Sequence, residues 1–359
     1  MSTEPAGLAP ALQRIWQRRG PAAWLLLPLS LLFGLLAGVR RWLYRAGWLK
    51  AARLPVPVLV VGNIFVGGTG KTPLTIWLAR QLRDAGYRPG VLSRGYGANV
   101  DVPRLVSADS LPEEVGDEPL LIVHHADCPM AVGRNRAAAG AALLRAHPEV
   151  DLLLLDDGLQ HYALARDLEI MLFDDRGAGN GWMLPAGPLR EPLSRRRDFT
   201  VINGAGTAPG AAQDAYRMRL SGDQAVQLAR PGNRVGLAEL AARRPAPRIA
   251  AAAGIGHPER FFGMLEQAGL RFSRLPLPDH YAFHDNPFAG LDADVILITE
   301  KDAVKCRHSD ALRDDPRLWF VPVEAVIDVA LADTIVEKLR GFPTDRHPGL
   351  PNLQTPAGL

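Results

Sequence analysis

The sequence predicts an α/β protein: a mostly parallel sheet covered by helices, a second and smaller α/β block after it, and an N-terminal helix that associates with a membrane. Three observations carry that expectation. From about residue 57 onward, short apolar runs alternate with amphipathic stretches of helical length, the pattern of buried parallel strands followed by covering helices. A Gly-rich loop at residues 67–72 lies between the first such run and the first such helix. An uncharged apolar run, AAWLLLPLSLLFGLLAGV, occupies residues 22–39.

That run comes first in the chain. Arg14, Arg18 and Arg19 precede it, and Arg40, Arg41 and Arg45 follow it. As a helix it would extend roughly 27 Å, close to the roughly 30 Å of a bilayer's hydrocarbon core. It has no convincing small-x-small cleavage site, and the basic flank behind it would hinder export. Contact with a membrane is the expectation, against a buried soluble helix as the bland alternative. Spanning and lying in the interface both stay open, because Pro28 and Gly34 interrupt the run and Trp24 and Trp42 suit either arrangement.

Beyond it, strands are expected at 57–62, 90–93, 130–133, 152–156, 169–173 and 199–203, and helices at 71–85, 118–126 and 135–146. Residues 204–247 are rich in Gly, Ala, Pro and Arg, with weaker periodicity. A second block then offers strands at 248–253 and 294–299 and helices at 258–268 and 330–339. The expected domains are a membrane-associated helical segment (1–53), an α/β domain carrying the Gly-rich loop (54–205), a linker with short strands (206–247), a C-terminal α/β domain (248–345) and a flexible tail (346–359).

Composition narrows the function. A net charge of +3 over 359 residues is too mild to argue for nucleic acid, so none is expected as a partner. Two cysteines, Cys128 and Cys306, form no CxxC pair, which excludes a disulfide framework and a cysteine zinc site. Inert thiols in a reducing compartment account for them.

The loop Gly67-Gly68-Thr69-Gly70-Lys71-Thr72 is the strongest signal and makes the expected fold P-loop NTPase-like. Glycines let backbone N–H groups turn inward around phosphate oxygens. Lys71 would meet the β- and γ-phosphates, the Thr72 hydroxyl would ligate Mg²⁺, and the helix start adds its positive dipole end. The strict pattern wants glycine where Phe65 stands, and a related variant of the loop carries a lysine where Val66 stands. The ATP site is taken as residues 65–72. Leu152–Leu155 deliver Asp156 and Asp157 to a strand's carboxyl end, where ligands of open α/β sheets bind. A carboxylate there suits Mg²⁺, although many buried strands end in Asp at a turn. No NKxD motif for guanine is present; the nearest stretch is Thr299-Glu300-Lys301-Asp302. ATP is therefore expected over GTP.

Five motifs occur together in order: Gly67 to Thr72, Ser93-Arg94-Gly95-Tyr96-Gly97, Gly116-Asp117-Glu118-Pro119, Asp156-Asp157-Gly158-Leu159-Gln160-His161 and Thr299-Glu300-Lys301-Asp302. In this the chain resembles the tetraacyldisaccharide 4'-kinase family of lipid A biosynthesis, from about residue 15 to 340. The resemblance implies transfer of the ATP γ-phosphoryl group to the 4'-hydroxyl of a tetraacylated glucosamine disaccharide 1-phosphate, with Mg²⁺, at the cytoplasmic face of the inner membrane. It implies Asp117 as catalytic base with His280 as its partner, Glu118 and Asp156 serving the metal, and Asp157 supporting the pair.

The residues themselves are compatible with those roles. A sugar hydroxyl needs somewhere to send its proton, and a positioned base contributes about 10² to 10⁴ in rate. Asp117 also stands just before an expected helix, so an N-cap is its bland alternative. His161, His257 and His284 compete with His280. Arg94, Arg134 and Arg136 suit a lipid phosphate through paired donors, and solvated roles remain open for them. The rival reading is a membrane-bound ATPase acting as a switch or partition factor. Such a protein would have no need of the GDEP stretch or of His280. The sequence does not indicate an oligomeric state.

Overall fold

Strands with no polar face run through the structure, because the sequence supplies continuous apolar runs in place of alternating ones. The computed structural model describes residue 12 and residues 14–95, 101–207 and 215–342. The expected flexible tail at 346–359, and Tyr96 and Gly97 of the second motif, lie outside the described residues.

In chain order the elements begin with α1 (Pro21–Arg45), β1 (Val58–Gly62), α2 (Lys71–Asp84), β2 (Pro89–Ser93), β3 (Arg104–Val106), α3 (Pro112–Val115), α4 (Asp117–Ala126), β4 (Met130–Val132), α5 (Arg136–Ala146) and β5 (Leu152–Asp156). They continue with β6 (Leu168–Asp174), β7 (Phe199–Asn203), β8 (Ala215–Ser221), β9 (Gln224–Gln227), β10 (Arg234–Gly236), α6 (Leu237–Ala242), β11 (Ile249–Ala253) and α7 (Pro258–Gln267). The last are β12 (Ser273–Pro276), β13 (Val295–Thr299), α8 (Glu300–Cys306), β14 (Leu318–Val321), β15 (Glu324–Ile327) and α9 (Ala330–Leu339).

Packing groups the chain into two compact units, each drawn from more than one stretch: residues 1–71, 151–219 and 327–359, and residues 72–150 and 220–326. The boundaries at 53, 205 and 247 follow composition along the chain and stand as a proposal about its modules. Packing instead places β9 and β10 in the sheet of the later strands.

The first unit is built on a parallel sheet. β1 lies between β5 and β6, with Val61 opposite Asp156 on one side and Ile170 on the other. β6 pairs with β7, and β7 with β8, all parallel. Every residue of β1, β5 and β7 is buried. This register fixes the direction of the site, since β1, β5, β6 and β7 all end at one edge.

α1 belongs to this unit, and its apolar length is mostly uncovered. Only Ala23 and Ser30 are buried, while Trp24 is 58% and Leu25 81% exposed. One edge is tied down. Ser30 Oγ donates to the Met183 carbonyl at 2.7 Å, and Trp24 meets the Trp182 ring edge-on at 4.9 Å. Among the described residues it is the helix long and apolar enough to cross a membrane. A cavity of about 500 Å³ opens between it and residues 181–183, lined by Leu27, Leu31, Gly34, Leu35, Trp182 and Met183 among others.

The second unit holds β2, β3 and β4, with β2 parallel and β3 antiparallel to β4. It also holds a six-stranded sheet in the order β10-β9-β14-β13-β11-β12. Alternate residues of β11 and β13 feed two separate cores. Ala251 and Leu297 pack with Phe261, Phe262 and Leu265, whereas Ala252 and Ile298 pack with Phe283, Phe288 and Leu312. β13 runs directly into α8, whose first turn carries Glu300, Lys301 and Asp302.

Candidate active site

The Gly-rich loop leaves the end of β1 and is held from outside by side chains, so that its own N–H groups stay available. Asn63, fully buried, donates through Nδ2 to Thr69 Oγ1 at 2.9 Å and to the Gly67 carbonyl at 3.3 Å. Asn203, at the end of β7, donates to the Thr69 carbonyl at 2.9 Å. Arg176, fixed by Asp174 at 2.6 Å, donates to the Gly68 carbonyl at 3.1 Å. These bonds occupy loop carbonyls and the Thr69 hydroxyl and use none of the loop's N–H donors, as an anion site requires. Gly67 and Gly70 sit at φ 106° and 95°, a region L-residues avoid. A Cβ on Gly70 would also stand 2.7 Å from Asn203 Nδ2.

Phe65 explains the departure from the strict loop pattern. It is buried, bridges to Leu189 and meets Phe173 edge-on at 5.4 Å. An anchor replaces a glycine there. Val66 is exposed, and its N–H bonds the Pro188 carbonyl. Thr72 is buried at the start of α2.

Asp156 is buried at the carboxyl end of β5. Asp157 follows in the left-handed region at φ 49°, and its Oδ1 lies 3.7 Å from Lys71 Nζ and 3.3 Å from an Arg190 guanidinium nitrogen. The P-loop lysine is thus already aimed at a carboxylate. Arg190 in turn bonds Asn63, linking Asp157 to the loop's support.

In the second unit Asp117 is the first residue of α4, with Gly116 at φ 94° taking the N-cap position. It is therefore not the N-cap. Its Oδ1 accepts the Glu118 N–H at 2.9 Å, which leaves Oδ2 to face three cationic or imidazole groups. His280 Nδ1 is 3.2 Å away, Lys305 Nζ 3.6 Å and Lys301 Nζ 4.0 Å. Asp117 is 5% exposed. Burial alone would raise its pKa, but the His280 hydrogen bond and the charges of Lys301, His280 and Lys305 outweigh it and bring the carboxyl down to about 2. The carboxylate is ionised at any physiological pH. His280 sits in the left-handed region at φ 58°, a conformation that costs about 1–3 kcal/mol and is met most often at functional sites.

The remaining expected residues divide. Glu118 Oε1 is held by Lys301 Nζ at 3.0 Å. Arg94 is exposed; Arg134 is exposed and pairs with Asp101 at 3.5 Å. Arg136 is buried at the start of α5 and donates to the Arg134 carbonyl. Of the competing histidines, His257 occupies the N-cap position of α7.

Sequence reasoning missed Asn63, Arg176, Arg190 and Asn203 around the loop and Lys305 beside Asp117, and gave Lys301 of the fifth motif no role. Position offered a signal for some of these. Asn63 and Asn203 stand at or just past the carboxyl ends of strands β1 and β7, the edge where ligands bind.

Comparison with known proteins identifies the family of the chain. A profile of the family described as Tetraacyldisaccharide-1-P 4'-kinase (LpxK) matches residues 22–340. The chain is 63% identical over 343 residues to the tetraacyldisaccharide 4'-kinase of Janthinobacterium sp. (strain Marseille), covering 95% of this chain and 99% of the relative. It is 52% identical over 340 residues to the protein of the same name from Dechloromonas aromatica (strain RCB), covering 93% and 98%. A crystal structure of LpxK from Aquifex aeolicus in complex with ATP superposes with a TM-score of 0.74 at 29% identity, covering 89% of this chain and 99% of that one. On these grounds the chain belongs to the tetraacyldisaccharide-1-phosphate 4'-kinase family, the kinases of lipid A biosynthesis.

Proposed function

We propose that this kinase transfers the γ-phosphoryl group of ATP to the 4'-hydroxyl of a tetraacylated glucosamine disaccharide 1-phosphate, with Asp117 as the base. The observation that carries the base assignment is the 3.2 Å contact between Asp117 Oδ2 and His280 Nδ1 on a buried, ionised carboxylate.

Lys71 and the loop N–H groups bind the triphosphate, and Lys71 exchanges Asp157 for phosphate oxygens when ATP arrives. The acceptor hydroxyl donates its hydrogen bond to Asp117. Phosphoryl transfer passes through a loose transition state, so positioning of the oxygen matters early and proton loss comes late. As the new P–O bond forms and the bond to ADP breaks, the hydroxyl proton moves to Asp117. A carboxylate with a pKa of about 2 is a weak base, and it suffices because the attacking oxygen becomes strongly acidic only as it bonds phosphorus. His280 orients the carboxylate through Nδ1.

Mg²⁺, when held by Asp156, Thr72 and Glu118, would supply positive charge that offsets the negative charge of the transferring phosphoryl group. The residues fit it. Asp156 offers a buried carboxylate beside the strand that leads into the loop, and Thr72 offers a hydroxyl. Glu118, paired with Lys301, serves the metal as well in this proposal. Among the described residues no group of three or more His, Cys, Asp or Glu side chains gathers to hold a metal.

The acceptor brings its own location. The uncovered apolar stripe of α1 and its flanking arginines support attachment to a membrane surface, and ATP supply favours the cytoplasmic face of the inner membrane. The cavity between α1 and Met183 is proposed to receive an acyl chain; its volume lies within the about 300–1,000 Å³ range of small-molecule sites. Arg94, Arg134 and Arg136 are proposed to serve the lipid phosphate.

The test is incubation with radiolabelled ATP and tetraacyl disaccharide 1-phosphate, with Asp117→Ala run beside the parent. Labelled lipid is expected from the parent, and at least about a hundredfold less from the variant. ATP turnover that ignores the acceptor and labels no lipid would favour a membrane-bound switch ATPase. Equal labelling by both proteins would remove Asp117 from the mechanism.

A further inference from the structure

Arg176 stands two residues past the end of β6, and its guanidinium is laid against the Gly-rich loop. Asp174, the last residue of β6 and 1% exposed, grips it. Asp174 Oδ1 accepts from the Arg176 backbone N–H at 3.0 Å and from Nε at 3.1 Å, and Oδ2 accepts from Nη2 at 2.6 Å. The chain turns tightly at this point, with the Gly177 N–H on the Asp174 carbonyl at 2.9 Å. A carboxylate that meets one whole edge of the fork fixes the plane of the guanidinium, which a lysine ammonium would not allow. Holding an arginine this way costs side-chain entropy and the burial of Asp174. Surface arginines are seldom held so firmly.

The donor inventory then leaves one nitrogen over. Nε–H and one hydrogen of Nη2 go to Asp174, and the other hydrogen of Nη2 goes to the Gly68 carbonyl at 3.1 Å. Nη1 bonds no group among the described residues. It crosses the bare face of Gly67, where an added Cβ would stand 3.0 Å from it. Gly67, at φ 106°, leaves that space open for a second reason besides its own turn. Two unspent hydrogens of a permanent cation thus lie at the crest of the loop, a few residues before Lys71.

We propose that Arg176 is a catalytic residue of the phosphoryl transfer, an arginine supplied in cis whose Nη1 donates to oxygens at the β–γ junction of the triphosphate. This rests on the reading of residues 65–72 as the ATP site. The bond from the γ-phosphorus to the bridging oxygen breaks with its electron pair going to ADP. The acceptor oxygen bonds the γ-phosphorus, and its proton leaves for Asp117. Arg176 gives up no proton in this step. Its hydrogen bonds strengthen where negative charge grows on the leaving side, so they favour the transition state over bound ATP. Loop support and catalysis are divided between two nitrogens: Nη2 holds the Gly68 carbonyl, and Nη1 meets the phosphate.

The experiment compares two affinities in the full chain, measured by calorimetry with Mg²⁺ present: ADP alone, and ADP with aluminium fluoride, which imitates the phosphoryl group in flight. Kinetics of lipid phosphorylation are run on the same proteins. Arg176→Met should bind ADP within about threefold of the parent and bind ADP with aluminium fluoride at least about a hundredfold more weakly. Its kcat should fall by at least about a hundredfold, with KM for ATP within about threefold. Arg176→Lys keeps a cation beside Asp174 and carries the same test if Arg176→Met melts early. It should still lose at least about tenfold in affinity for the aluminium fluoride complex, because an ammonium cannot serve both Asp174 and phosphate. A residue that only props the loop would weaken both complexes equally, since they share the loop. That result overturns the proposal, and so does a parent-like kcat in Arg176→Met. Lys71→Ala, run in parallel, tests the reading beneath it. Parent-like ADP binding by that variant would remove the loop as nucleotide site, whereas the ratio of the two affinities in the Arg176 variants judges Arg176 alone.

Discussion

The loop at residues 67–72 and the Asp117–His280 cluster handle charge in opposite ways. The loop presents backbone N–H groups, and side chains such as Asn63, Asn203 and Arg176 support it by occupying its carbonyls. Its fixed dipoles come from six consecutive residues and a helix start. The cluster balances the carboxylates of Asp117, Glu118 and Asp302 against Lys301 and Lys305, and joins Asp117 to His280, 163 positions further along the chain. A dipole site can be encoded locally; a charge-balanced site has to be assembled by the fold.

The sharpest way to break that comparison is kinetic. Asp117→Asn should lower lipid phosphorylation by about 10² to 10⁴ while leaving ATP affinity, measured by calorimetry, within about twofold. Lys71→Ala should lower the rate by about 10² to 10³ and weaken ATP binding as well. If Asp117→Asn lost ATP binding to the same degree, the division between a nucleotide loop and an acceptor cluster would fail.

Gly70→Ala probes the dipole site alone. It places a Cβ at φ 95° and 2.7 Å from Asn203 Nδ2, a combination that should cost about 3 kcal/mol in stability. Denaturant unfolding reads the cost. A loss below about 1 kcal/mol would mean that the loop relaxes without Asn203.

Acid probes the charge-balanced site. The Asp117 carboxyl is lowered from 3.8 to about 2 in the folded protein. Its ionic partners therefore contribute stability that is fully present above pH 3.8 and is lost as pH falls through about 2. The contribution is about 2 kcal/mol by proton linkage. The stability difference between the parent and Asp117→Asn should shrink by about that much between pH 5 and pH 2. A constant difference would show that the cluster does not stabilise the ionised form.

The smallest effect expected is at the cap of α8. Thr299→Ala removes both bonds to Asp302 and should cost about 1–2 kcal/mol, read as a drop in Tm. The same variant sharpens the comparison, because it loosens the start of α8, which carries Lys301, and should leave ATP affinity unchanged.

Much of this was legible along the chain. The fold class, the strand–loop–helix unit, the acidic end of β5 and the exposed apolar helix are short-range patterns, and a resemblance through five ordered motifs named the family and pointed to Asp117 and His280. The supports were harder to read. Asn203 and Arg176 look like ordinary residues at strand ends, and Lys301 and Lys305 look like one face of a short surface helix. Residues 206–247 carried weak periodicity because β9 and β10 are short and become strands by pairing at the edge of a larger sheet.

The amino-acid sequence by itself determined what local chemistry can specify: where strands are buried, where a Gly-rich loop joins a strand to a helix, and which helix is long and apolar enough to cross a membrane. Tertiary structure decided which charges face one another. It made Phe65 an anchor instead of a loop glycine, and it brought Lys301 to Glu118, 183 positions earlier in the chain. The physical reason is range. Periodicity and backbone conformation act over a few residues, whereas a buried carboxylate is balanced by whichever cations the fold brings within about 4 Å.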